Sequence, residues 1–482
     1  LKDLAPHAMF VVDEAHNSSG DSSRGRTAQQ LVNSAGAVTY MSATWAKRPD
    51  NMPVYGRTSI RHAFNQMAAI AEMVRRGGRA LLQVMSRMLA EDGRYFRAEM
   101  SLAGISIRSN ESDITYDIPD DKANSISRSF GSIKYFDDLV QNNMDAIMEV
   151  IQSSGAIRMG GAVDASRTSF ISMFHNIVQQ VLTGVKADLA ADRMIDHIKK
   201  GRKVFLVLYN TMEQATKDIA EFEDLQAGDE ISMSLADLLK RSLRRCRRIT
   251  VSPSTGKNGI PGQPAEYVWL TDEQLSAANP QLLRAAQDAE MQINSDPNFP
   301  FIPGSPIDWI ESRLRKAGIE YAELTGRENR ILYGEGTKGT VATRPASEVG
   351  PSARVAAIQL FNGMPAKPGE PIRSVDAILA NASTGFSLHA SPKTGSDYKK
   401  QRVGIVLQPS PDISVFLQSL GRINRLGQKI PPMFEFTLST LPAEQRNAAI
   451  LMRKLSMLNA NTTASAKGAF SAGGVDFLNH LG

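Results

Sequence analysis

"HAMFVVDEAHNSSG", residues 7–20, is the stretch on which the fold turns. Met9, Phe10, Val11 and Val12 form a short unbroken apolar run rich in aromatic and β-branched residues. That is the pattern of a buried strand in a parallel sheet, where both faces are covered. The run stops at Asp13-Glu14. Ligands of open α/β sheets lie outside the carboxyl ends of the strands, so these acids would stand at the mouth of a site. Acids placed there suit a hydrated magnesium ion and the activation of a water. Magnesium keeps several waters and takes only one or two protein carboxylates beside substrate phosphates. The plainer alternative is a strand that ends in a solvated turn. A four-letter match remains a hypothesis until its context agrees.

The context is a second apolar run, "AGAVTYMSATW", residues 35–45, which ends in Ser42-Ala43-Thr44. Hydroxyls at a strand's end can hydrogen-bond to polar neighbours such as His16. Between the runs, a Gly/Ser-rich loop and a helical stretch complete a strand–helix–strand unit. Towards the other end stands "VFLQSLGRINRLGQK", residues 415–429. Gln418, Arg422 and Arg425 are spaced by four and three, which places them on one face if the stretch is helical. One amide and two guanidiniums suit a phosphate, because arginine offers planar, permanently charged, multi-donor contacts. A solvated basic face is the alternative.

Strand, DEAH, crossover helix, strand and SAT resemble motifs II and III of superfamily 2 helicases and translocases. The string Q-x-x-G-R-x-x-R-x-G-Q resembles motif VI of the same superfamily, in the variant shared by Swi/Snf-type remodellers and strawberry notch proteins. "SVDAILANASTGFSLHAS", residues 374–391, resembles motif V. "STGFSLHA", "YAELTGRENRI" and "LPAEQRNAAILMRKLSMLNA" point to the strawberry notch branch. The resemblance runs from residue 7 to about residue 460 and is patchy in the middle.

The resemblance implies an α/β chain of two RecA-like lobes, each a parallel sheet flanked by helices. It also implies an ATP-dependent motor on nucleic acid, with ATP and Mg2+ as cofactors. Asp13 would hold magnesium through water, and Glu14 would orient or deprotonate the attacking water. His16, Thr44 and Gln418 would relay nucleotide state between lobes, with Ser42 and Gly385 also in nucleotide coupling. Arg422 and Arg425 would stabilise charge on the γ-phosphate. An arginine finger is worth about 10³–10⁵ in rate in related phosphoryl-transfer systems. Thr325, Arg327 and Thr384 would touch nucleic acid, DNA being expected and RNA the alternative.

A phosphate-binding loop with Gly-x-x-x-x-Gly-Lys-Ser/Thr should precede motif II. The nearest string, "STGKNG" at residues 254–259, lacks the earlier Gly and the hydroxyl after Lys257. The expectation is a C-terminal fragment whose first lobe is incomplete, with a methyltransferase domain as a conceivable N-terminal neighbour by resemblance alone.

The chain has 482 residues, a length that suggests two to four domains. One cysteine, Cys246, excludes an internal disulfide and fits a reducing cytoplasm, or a nucleus in a eukaryote. No apolar stretch is long enough to span a bilayer, so no membrane partner is expected. A net charge of +5 and a pI of about 9.1 mildly favour nucleic acid. The stronger local signal is "SLADLLKRSLRRCRRITVSP", residues 234–253, an amphipathic helix with a basic face. Lys240 and Arg244 on it could grip a phosphate backbone, or the face could simply be solvated.

Four regions follow. Residues 1–130 read as the remainder of the first lobe, with 105–120 as a returning pair of strands. Residues 131–200 read as a helical bridge. Residues 201–445 read as the second lobe, opened by "KVFLVLYNT" and carrying an insertion at 216–305. In it, residues 332–352 read as a mobile loop. Residues 446–482 read as a helix and frayed tail. The competing functional reading is a non-catalytic nucleic-acid or protein-binding scaffold on the same fold.

Overall fold

In the computed structural model, the opening apolar run is β1 (Met9–Val12), paired in parallel with β2 (Ala37–Tyr40). The structure describes residues 5–15, 18, 22–42, 49–60, 67–95, 105–109, 111–155, 163–167, 170–211, 226–253, 266–334, 338–365, 369, 371, 373–381 and 386–462. The helix Ser23–Ser34 crosses between β1 and β2, and its first turn is capped by the Ser22 hydroxyl, which accepts from the Gly25 amide at 2.9 Å. The expectation of a strand buried on both faces is corrected. Met9 is 64% and Val11 57% exposed, because one side of this two-stranded sheet has no covering layer among the described residues. Its other side packs on a core of Ala15, Met52, Val54, Tyr55, Ile70 and Val74.

The larger body is a six-stranded parallel sheet in the order β10-β13-β6-β14-β15-β3. Its strands are β3 (Ser106–Arg108), β6 (Lys203–Leu208), β10 (Tyr321–Leu324), β13 (Ala377–Asn381), β14 (Arg402–Val406) and β15 (Met433–Phe436). Alternation along β6 divides it between two cores. Phe205 and Val207 pack beneath the helices Pro351–Asn362 and Ile413–Leu420. Val204, Leu206 and Leu208 pack beneath Ala187–Lys199 and Pro306–Lys316. Every residue of β6 is buried, as a parallel strand covered on both faces requires. This is an α/β, RecA-like fold.

Residues 105–116 do not return to the first lobe, which corrects their assignment there. β3 pairs with β15, and β4 (Thr115–Tyr116) pairs with β16 (Leu438–Ser439), both in parallel. The cause is a buried ionic cluster. Glu435 on β15 is fully buried and meets Arg108 at 2.7 Å, Arg193 at 2.5 Å and His197 at 3.1 Å. Burial alone would raise the Glu435 pKa, but hydrogen bonds from His197 and Arg193 outweigh it and hold it at about 2.

The presumed helical bridge and the presumed insertion form one body. The helices Asp120–Asn142, Met144–Ser153 and Phe170–Gly184 share a core with Leu235–Cys246, Asp272–Ala278 and Pro280–Ser295. A three-stranded antiparallel sheet closes it: β5 (Val163–Ser166), β8 (Arg248–Pro253) and β9 (Glu266–Trp269). Residues 332–352 are also corrected, from loop to structure. β11 (Asn329–Tyr333) and β12 (Lys338–Thr343) form an antiparallel pair that extends to β7 (Glu230–Ser232) and buries Ile331 and Val341. The last helix is Pro442–Thr462, and the tail beyond it lies outside the described residues. No described helix is long and apolar enough to cross a membrane.

Candidate functional site

The carboxyl end of β1 is fixed by two backbone bonds. Met41 donates to Val12 at 2.9 Å and Ala15 donates to Met41 at 3.1 Å. To place the Ala15 methyl in the core while keeping that bond, the chain turns at Glu14, whose φ is +48°. Among the described residues it is the one non-glycine with positive φ. A left-handed non-glycine costs about 1–3 kcal/mol and persists where its surroundings impose it, commonly at functional sites. The Asp13 carboxylate accepts from the Glu14 amide at 2.9 Å and is otherwise exposed to solvent.

The turn aims Glu14 at the second lobe. Its Oε1 accepts from Nε2 of Gln418 at 2.6 Å, a bond spanning 404 positions of sequence. Gln418 sits near the end of the helix Ile413–Leu420. The single helical face expected for Gln418, Arg422 and Arg425 is therefore corrected. The helix stops at Leu420, and both arginines stand on the turn that follows.

That turn brings them together in another way. Arg422 Nη1 and Arg425 Nη2 both donate to the Phe386 carbonyl, at 3.3 and 3.4 Å. Arg422 is 7% exposed and stacks on the Phe386 ring, 5.1 Å from its centroid. Burial, and next the Arg425 charge, lower the Arg422 pKa, and the Glu14 carboxylate opposes them. Arg425 is exposed, and its Nε donates to the Gly421 carbonyl at 3.1 Å. Gly427, at φ +86°, closes the loop so that the Gln428 side chain accepts from the Arg425 amide at 3.2 Å. The G-Q of the motif is thus explained as the brace of Arg425.

Phe386 and His389 were not singled out in the sequence. Both follow the motif V-like "STG", and Phe386 supplies the carbonyl and the ring that hold the arginines. Burial, then the charges of Arg425 and Arg402, lower the His389 pKa. Ser42 lies two residues beyond β2 and beside Tyr55, whose pKa is raised by burial first and then by neighbours that include Glu14. His16, Thr44, Thr384 and Gly385 lie outside the described residues.

The nucleic-acid role expected for Thr325 and Arg327 is corrected. Both are 2% exposed. Arg327 is spent on Asp308 at 2.6 Å, Glu323 at 2.6 Å and Glu311 at 3.2 Å, while Arg344 meets Glu323 at 3.4 Å. Thr325 donates to Glu323. The Thr-Gly-Arg turn closes a buried ionic cluster and presents neither side chain to a ligand. Lys240 and Arg244, by contrast, are exposed on the helix Leu235–Cys246. A capping box between Ser234 and Asp237 starts that helix, and its leucines face the core.

Residues 312–473 match the family model described as the C-terminal domain on strawberry notch homologue. The matched region contains β10 to β16 and the whole arginine turn. The chain is strawberry notch-like. Protein strawberry notch homolog 1 of Rattus norvegicus is 21% identical over 525 aligned residues, which cover 94% of this chain and 40% of the rat protein. The homolog 1 of Gallus gallus is 28% identical over 162 residues, 33% of this chain and 12% of that protein. Strawberry notch homolog 2 of Homo sapiens is 28% identical over 159 residues, 33% of this chain and 11% of that protein. The strawberry notch-like chain therefore spans well under half the length of these relatives. It is helicase-related.

Proposed function

We propose that this chain supplies the catalytic acids and the arginine turn of an ATP-driven nucleic-acid translocase. The observation that carries the reading is the Glu14–Gln418 hydrogen bond, which joins the carboxyl end of β1 to the helix leading into Arg422 and Arg425. A carboxylate that feels the Arg422 charge, with Arg425 on the same turn, can orient a water against a phosphate whose developing charge the arginines stabilise. Asp13 suits the magnesium expected with ATP. It is exposed, one of its oxygens is bound to backbone, and a single carboxylate plus waters and phosphates satisfies that ion. Among the described residues no group of three or more His, Cys, Asp or Glu could hold a metal without a nucleotide. The ion would neutralise phosphate charge when bound, and Glu14 would hold the water.

Residues 1–482 contain no Gly-x-x-x-x-Gly-Lys-Ser/Thr string. By themselves they are expected to turn over ATP at background level, because that string supplies the lysine and backbone nest that cradle the β/γ-phosphates. A longer protein that supplies such a loop beside β1 should show magnesium-dependent turnover stimulated by DNA or RNA. Steady-state phosphate release on both proteins is the check. Magnesium-dependent turnover by residues 1–482, or none by the longer protein, would overturn the reading in favour of a binding scaffold.

A further inference from the structure

The outer face of the small antiparallel sheet plays no part in the site above. Along β9, Val268 points inward and is buried, so Tyr267 and Trp269 share the opposite face, where they are 60% and 38% exposed. They are two residues apart on one strand, about 7 Å. Register places Arg248 of β8 opposite Trp269 and Thr250 opposite Tyr267, while Ile249 and Val251 point into the core. The Arg248 guanidinium lies 4.7 Å from the Tyr267 ring centroid and 5.9 Å from that of Trp269. Arg244 reaches the Trp269 ring from the end of the neighbouring helix, at 5.6 Å. Lys240 is exposed one turn further along.

Two neighbouring arginines are turned to other partners. Arg247 is paired with Asp272 at 2.5 Å, and Arg241 donates to the Ser232 carbonyl at 3.2 Å. The face thus carries two aromatic rings in a row, bordered by Arg244, Arg248 and Lys240. Single exposed apolar residues are ordinary on a protein surface, but adjacent exposed aromatics mark an interaction site. Stacked rings beside backbone-tracking cations are how proteins hold unpaired bases with little sequence preference. A double helix hides its base faces, so the rings would gain nothing from a duplex.

We propose that this face, Tyr267 and Trp269 with Arg244 and Arg248, is a binding site for single-stranded nucleic acid. The inference deepens the nucleic-acid part of the function proposed above and rests on it. The rings take successive bases, and the cations take the phosphates between them.

The test is equilibrium binding of the whole chain to labelled oligothymidylate and oligouridylate of about 20 nucleotides, with heparin as a probe that has charge but no bases. Tyr267→Ala/Trp269→Ala should weaken both oligonucleotides at least about tenfold, with the salt dependence unchanged and heparin binding intact. Trp269→Phe should retain most of the affinity, which separates stacking from bulk. Arg244→Ala/Arg248→Ala should make the slope of log K against log salt shallower by about 1–2 and weaken heparin as well. Full affinity in Tyr267→Ala/Trp269→Ala overturns the site but leaves nucleic-acid binding elsewhere on the chain. Equal losses for heparin and oligonucleotides overturn stacking. Failure of the unaltered chain to bind either oligonucleotide overturns both this site and the nucleic-acid reading beneath it.

Discussion

In a protein competent for turnover, Arg425→Ala is expected to lower kcat by about 100-fold or more while the KM for ATP moves little. The reason lies in when the interaction is made. A group that binds ground and transition states alike affects KM, whereas one that meets charge developing in the transition state affects kcat. Arg425 is the exposed member of the pair, held by Phe386, Gly421 and Gln428 through weak neutral contacts that a phosphate would readily displace. Arg422 is buried against the Phe386 ring and supports the turn. Arg422→Ala is therefore expected to lower stability as well as turnover. Arg425→Lys should fail to restore kcat, because an ammonium cannot reproduce the planar fork. Near-normal kcat in Arg425→Ala, read from steady-state kinetics, would return the turn to a solvated basic surface.

Arg327→Ala is expected to destabilise the second lobe by about 3–5 kcal/mol, the usual cost of leaving buried charges without their partner. The arginine answers Asp308, Glu311 and Glu323, and only Arg344 would remain. Arg327→Lys should recover little, since one ammonium cannot reach Asp308, Glu311 and Glu323 at once as the planar fork does. The cluster also predicts a pH dependence. Burial, then the Glu323 charge, push the Glu311 pKa well above the ordinary carboxylate value, so the fold favours its protonated form. A group with a raised folded pKa gives stability that is full below its unfolded value and is lost as pH rises through the folded value. Wild-type protein should thus lose stability relative to Glu311→Gln as pH rises. Urea unfolding midpoints across pH would show both effects. An Arg327→Ala shift within about 1 kcal/mol would mean that the cluster is not what holds the turn.

The strand–helix–strand around DEAH was legible because its signals are local. An apolar run, an acid pair and a Gly/Ser-rich loop each act within a few residues. "KVFLVL" was legible for the same reason, since six buried residues in a row leave little choice. What could not be read were partnerships across the chain. Arg108 joins β3 to β15 through Glu435, 327 positions away, and nothing near residue 108 announces it. The helices around residue 130 and residue 285 share one core, although the sequence places β6 between them. The motif VI spacing suggested a longer helix because four and three are helical intervals. Gly421 and the turn bonds of Ser419 and Arg422 end it first. Thr325 and Arg327 were misread because a polar turn after a strand looks exposed in sequence, and only the acids of the helix Pro306–Lys316 reveal where the guanidinium goes.

The account stands on the meeting of Glu14 with Gln418, and that meeting can be measured in this chain as it is. Glu14→Cys/Gln418→Cys places two thiols on either side of the gap that the 2.6 Å hydrogen bond now closes, within reach of a short linker. The native Cys246 is fully buried, and burial raises its thiol pKa, so it contributes little reaction in the folded state. A short bis-maleimide should join residues 14 and 418 within one molecule under native conditions, and each single variant should give no such product. Peptide mapping of the linked pair reads the outcome. A high yield that collapses in urea is the predicted result. No 14–418 link in protein that is folded by circular dichroism and monomeric by size would contradict a site shared by the two motifs.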